Sequence, residues 1–202
     1  MSHNVSPIGE TGLLTYMSIR KEWKKLVYVE RELFRLAPLD GDRNARTVLL
    51  SREMHELFER QMEESEEANR RSRLLATLQN IVAGRRLVVC LEPFRARKAN
   101  IGRLHPVEDS IFDIRCLEKP AVRVFCQFLE RNVLLAVTCR PRSVSWLGWL
   151  PLGARSSKEW KRGMAATKLE WAKFFPTYSP VGGDNLDDYL SKATLERTRR
   201  GS

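Results

Sequence analysis

Few of the residues that usually announce a mechanism are present. Three histidines are scattered along 202 residues, and the four cysteines (Cys90, Cys116, Cys126, Cys139) form no CxxC pair. That spacing argues against a structural zinc centre, so neither a metal nor another cofactor is expected. Long apolar runs are missing as well: none approaches the ~18 residues that a membrane helix needs, which excludes an integral helical membrane protein. The segment Met1 to Thr15 has no basic stretch followed by an apolar one. Secretion is therefore not expected, and the thiols are read as reduced in a cytoplasmic protein. Internal repeats and long low-complexity tracts are absent too, which removes solenoids and arrays from consideration.

What the chain does have is positive charge, unevenly placed. The formal net charge is +10, with 35 Lys+Arg against 25 Asp+Glu. Arg70 to Arg103 carries nine basic residues and one acid, Glu92, a net +8. Immediately before it, Glu53 to Glu67 holds seven glutamates against Arg60. Such asymmetry points to a polyanionic partner, because each Lys or Arg that neutralises a phosphate releases condensed counterions. A merely solvated surface is the plain alternative.

The hydrophobic fraction of 43% is enough for a packed core. Residues 1–45 read as a partly mobile N-terminal extension, with Lys25–Glu30 suiting either a first strand or a helix. Pro38–Gly41 is a turn signal. Ser51 is placed to cap a helix bearing Met54, Leu57, Phe58 and Met62 on one face. Leu74, Leu75, Leu78, Ile81 and Val82 form a second apolar set that stops at Gly84, a good C′ residue. The charged stretch between the two sets predicts a hairpin or a pronounced break. Leu87–Leu91 is a short apolar run. Three strand-like runs follow it, Ser110–Leu117, Val122–Leu129 and Val133–Cys139, and their short polar turns predict an antiparallel meander. In the middle run Val124, Cys126 and Phe128 share one face and Arg123, Phe125 and Gln127 the other. The second face is expected to stay partly polar and to carry function. Ser156–Glu159 reads as a capping box for a helix striped by Trp160, Met164, Thr167, Trp171 and Phe174. A last short helix would turn Leu186, Tyr189 and Leu190 inward. Helices, a meander and a helix make an α+β protein, with a main domain at 46–176 and a C-terminal extension at 177–202.

Three segments carry a resemblance: Gly102-Arg-Leu-His-Pro-Val-Glu-Asp-Ser-Ile-Phe-Asp-Ile-Arg115, Val122-Arg-Val-Phe125, and Val133-Leu-Leu-Ala-Val-Thr-Cys-Arg-Pro-Arg142. In their order and spacing they resemble the RelE/HigB-type toxins of type II toxin–antitoxin modules, over about residues 50–175. The resemblance implies a small twisted antiparallel sheet with two helices on one face and the active site on the other. It also implies a ribosome-dependent mRNA endoribonuclease, with mRNA and ribosome as partners and an acidic cognate antitoxin as its restraint. Carried over by position, Arg115, Arg123, Arg140 and Arg142 become the site residues. The sequence leaves oligomeric state open. After its last strand the family shows Lys-Lys, whereas this chain has Arg140-Pro-Arg142.

RNA cleavage without metal requires in-line attack by a ribose 2′-OH, with a base to take its proton, cations to stabilise the phosphate, and an acid for the leaving oxygen. Arginines suit the phosphate. His105 is the candidate proton carrier, with Asp113 and Glu118 as alternatives. Arg95, Arg97, Lys98 and Arg103 are candidate RNA contacts. Trp146 and Trp149 could stack on bases or anchor a loop. Two alternatives keep the fold without the nuclease. One is gyrase poisoning, as in the ParE branch; the other is a phage or host module binding nucleic acid or protein. On this reading Arg123→Ala removes function at little cost in stability. The acidic helix or Asp184–Asp188 could restrain the arginines in cis, but the acidic helix is expected instead to face solvent and pair with its own Arg60, Arg70 and Arg71.

Overall fold

The computed structural model describes residues 10–39, 41, 45–60, 66–95, 98–116, 121–141 and 158–196. Eight described strands form one mixed sheet in the order β1-β2-β7-β6-β5-β4-β3-β8. The strands are β1 (Phe34–Arg35), β2 (Thr47–Leu50), β3 (Leu87–Cys90), β4 (Ile101–Arg103), β5 (Ile111–Cys116), β6 (Val122–Glu130), β7 (Val133–Pro141) and β8 (Ala193–Leu195). The expected antiparallel meander is β5-β6-β7. The sheet around it is larger than expected and not purely antiparallel: β2 runs parallel to β7, and β3 runs parallel to both β4 and β8.

Ser51 caps α2 (Arg52–Glu59), its Oγ accepting from the Met54 amide at 3.2 Å. Arg60 is extended, and α3 (Glu66–Val82) begins as a separate helix, so the chain breaks between the two apolar sets. Gly84 then takes the left-handed conformation, at φ +73°, that ends a helix cheaply. Its missing side chain matters too, since a Cβ there would lie 2.5 Å from that of Ala45. Lys25–Glu30 is not a strand. It finishes α1 (Glu10–Tyr28), because Ile19, Trp23 and Leu26 recur at helical spacing and are buried.

Both faces of the sheet are covered. On one, α2, α3 and α5 (Leu186–Tyr189) enclose Val48, Leu78, Phe112, Val124, Phe128 and Tyr189. On the other, α1 and α4 (Lys158–Phe174) enclose Leu49, Leu135, Trp23, Trp171 and Phe174. A smaller cluster of Ile111, Phe125 and Met164 continues that layer. The face expected to remain partly polar is therefore roofed by helices. Gly163 lets α4 approach, since a Cβ there would fall 2.5 Å from the Phe125 ring. The α4 stripe packs as its spacing predicts, while Ser156 of the capping box lies outside the described residues.

The segments set apart as extensions are built into this same sheet. From the N-terminal side, the buried Glu130 carboxylate accepts from Trp23 Nε1 at 2.9 Å and from Arg20 Nε at 3.3 Å. From the C-terminal side, Asn132 in the β6–β7 turn (φ +64°) accepts from the Ser191 amide and donates to the Tyr189 carbonyl, both at 2.8 Å. Arg46 closes the arrangement, its guanidinium reaching the carbonyls of Arg85 at 3.0 Å and Ser191 at 2.7 Å. Burial lowers the pKa of that guanidinium. No described helix is long and apolar enough to cross a membrane.

Candidate arginine site

Arg115, Arg123 and Arg140 form a row. Arg115 pairs with Arg123 in the β5–β6 register, and Arg123 pairs with Arg140 in the β6–β7 register. With strands about 4.8 Å apart, the row runs across roughly 10 Å at one end of the meander.

Carboxylates hold this concentration of charge. Asp113 lies two residues before Arg115, on the same face of β5, and its side chain is wholly buried. Arg115 Nε donates to both of its oxygens, at 3.0 and 3.1 Å, and Arg123 Nη1 donates to Oδ2 at 2.6 Å. The Arg123 guanidinium lies 5.2 Å from the Trp160 ring centroid, an attractive cation–π distance. Gly102 on β4 faces Asp113 and makes room: a Cβ there would stand 2.7 Å from Arg115 Nη2 and 2.9 Å from Asp113 Oδ1. At the other end of the row, Arg140 Nη1 donates to Glu53 Oε1 at 3.1 Å, and the buried Thr138 hydroxyl donates to the same oxygen at 2.6 Å. The row thus grows more open from 11% exposure at Arg115 through 15% at Arg123 to 29% at Arg140.

The remaining candidates lie elsewhere. His105 is in the β4–β5 loop, stacked at a tilt on Phe94 with ring centroids 5.3 Å apart. That loop is at the opposite end of β5 from Arg115, four residue steps or about 13 Å along the strand. A proton carrier is therefore not brought to the row by His105. Asp113, the alternative base, is committed to two arginines, and Glu118 lies outside the described residues. Arg103 has an inward task. Its side chain donates to the carbonyls of Leu91 at 2.7 Å and Gly183 at 2.6 Å, and to Asp184 Oδ1 at 2.9 Å. An arginine buried this way fixes the C-terminal segment and is not placed to meet RNA. Arg95 is exposed and paired with Glu92 at 2.8 Å, and the Lys98 amide donates to Glu196 at 2.7 Å. Both sit in the β3–β4 loop, which returns to the sheet at Asn100, whose carbonyl accepts from the Arg115 amide at 2.9 Å. Arg97, Arg142, Trp146 and Trp149 lie outside the described residues.

Of the two acidic segments, one reaches the row and one does not. Glu53 of the acidic helix does engage Arg140. The Asp184–Asp188 segment turns to other arginines, with Asp184 on Arg103 and Asp187 on Arg131 at 3.4 Å. Two of the thiols in the meander are held in the protonated form. Burial pushes Cys139 up to about 12 and raises Cys126 as well, so both stay protonated at neutral pH. Among the described residues no group of three or more His, Cys, Asp or Glu is placed to hold a metal.

In chemical terms, the row is a set of oriented guanidinium donors, and no acid–base pair converges on it among the described residues. Asp113 was legible as a candidate base and Glu53 as part of an acidic helix, but the bridge that Asp113 makes between Arg115 and Arg123 was not. The legible trace was the Asp-x-Arg spacing on one strand face opposite an arginine on the next. Compared with protein-family models, with curated proteins and with solved structures, the chain finds no match in any of the three.

Proposed function

We propose that the protein binds RNA, with mRNA as its natural ligand, and holds phosphates on the arginine row in the manner implied by its resemblance to RelE/HigB-type toxins. The observation that carries this reading is the register itself: Arg115, Arg123 and Arg140 stand opposite one another on three adjacent strands. Guanidinium groups offer forked, permanently charged donors that match phosphate oxygens. The α2–α3 pair on one face of the sheet also agrees with what the resemblance implies, whereas the helices over the other face do not.

Ribosome-dependent cleavage is the second reading. The same row favours it, because three guanidiniums can stabilise a phosphate in which negative charge is developing. With His105 remote, the ribosome would have to supply the proton transfers. An acidic antitoxin segment would suit the row by charge, extending what Glu53 does for Arg140.

Primer extension on cellular mRNA after induction separates the readings. Cuts that vanish when translation is blocked support cleavage. RNA that co-purifies with the protein without new cuts supports binding alone. If no RNA co-purifies and purified protein fails to retain a labelled oligonucleotide at low salt, the RNA assignment fails.

A further inference from the structure

A cleft of about 520 Å³ opens between α3 and the ends of β3 and β5, outside the arginine row except for one shared residue. Five arginines line it: Arg70 and Arg73 from α3, Arg85 and Arg86 from the turn after it, and Arg115 from β5. Among the described residues lining it, none is acidic.

The fold explains why these side chains converge. Positions 70, 73, 77 and 80 recur at helical spacing and make a polar stripe beside the apolar one of Leu74, Leu78 and Ile81. The apolar stripe is buried in the sheet, so the polar one is set at its margin. Gly84 ends the helix against Ala45, and Arg46 holds the Arg85 carbonyl at 3.0 Å, which fixes the corner that presents Arg85 and Arg86. Asn100 stands across the cleft with its Oδ1 committed to the Val88 amide at 2.8 Å, which turns its NH₂ donors away from that bond.

We propose that this cleft is a second phosphate site, taking successive phosphates of a single RNA strand that passes to the arginine row through Arg115. The inference rests on the RNA reading above. Its chemistry is that of backbone recognition: permanent cations, closely spaced, in a recess where potentials add. A recess favours a single strand. A duplex is met by surfaces that reach across its grooves, whereas unpaired strands are tracked by basic channels.

The test uses the full chain, a labelled 12-nucleotide single-stranded RNA and fluorescence anisotropy across a salt series. The double variant Arg73→Gln, Arg86→Gln removes two exposed cleft cations, and circular dichroism checks that it folds. The expected result is binding about tenfold weaker at low salt, with the slope of log K against log salt reduced by about 1.4, two single-strand phosphate contacts. Arg140→Gln, measured in parallel, reports on the row alone. If RNA binds the native chain but the double variant keeps its affinity and slope, the cleft assignment is overturned while the RNA reading stands. If the native chain binds no RNA, both fall. Competition by a 12-base-pair duplex or by inorganic tripolyphosphate as strong as by unlabelled single strand would also overturn the proposal, in favour of a duplex or a small-polyanion site.

Discussion

Arg115 and Arg123 face each other across β5 and β6 and share one buried carboxylate, that of Asp113. Two arginines directly opposed would repel, and Asp113 turns the repulsion into a bridge. The pair is thus part of the structure as well as a candidate for function.

Stability should register this. Arg123→Ala leaves a wholly buried carboxylate with one fewer charged donor while Arg115 stays on it, and losing a hydrogen bond to a charged group costs about 1.5–3 kcal/mol. The expectation from sequence alone, loss of function with the melting temperature unchanged, is replaced by a marked drop in the urea midpoint. Asp113→Asn added to this variant should cost less than it does in the native chain, since the carboxylate has then already lost the Arg123 bond and keeps only that of Arg115. Two costs that simply add would show that the residues do not act as a pair.

Gly163→Ala should destabilise by about 1–3 kcal/mol, because the added methyl would lie 2.5 Å from the Phe125 ring and lift α4 off the sheet. Thermal unfolding reads this directly. A gain in stability, as expected for glycine to alanine in an open helix, would mean that α4 does not press on Phe125.

Deleting residues 182–202 should abolish folding and not merely release a restraint. Tyr189 and Leu190 are fully buried, and Tyr189 packs edge-on against Phe112 and Phe128 at ring distances of 4.9 and 5.3 Å. The single substitution Tyr189→Ala should cost about 3–5 kcal/mol. A soluble truncated chain with a native-like unfolding transition would contradict this placement.

Alkali should weaken the fold through its thiols. Cys126 and Cys139 stay protonated in the folded chain well above their ordinary value of 9.0, because burial disfavours the thiolate. The unfolded chain therefore gives up these protons first as pH rises, so their contribution is intact below about 9 and declines above it. Urea midpoints at pH 8 and 10 should differ, and less so in a Cys126→Ala, Cys139→Ala variant. Iodoacetamide at pH 8 should modify neither residue until the protein is unfolded.

The sequence by itself determined the local elements: the Ser51 cap, the stop at Gly84, the three meander strands with their Arg131-Asn132 turn, and the α4 stripe. Each depends on residues close together in the chain, through periodicity, capping or turn chemistry. It also determined the arginine row in part, since knowing the meander puts Arg115, Arg123 and Arg140 at one end of it. Tertiary structure decided the rest. Whether Lys25–Glu30 became helix or strand depended on what Trp23 and Leu26 could bury against. Asp113, Glu53 and Glu130 drew their roles from partners 10, 87 and 107 residues away. Arg103 reads as a candidate RNA contact until the fold puts the carbonyls of Leu91 and Gly183 around it, and Arg46 likewise draws its role from the carbonyls of Arg85 and Ser191. A lone charge carries no mark of its future partner, because the energy that places it is set by burial and by distances that exist only once the chain has closed.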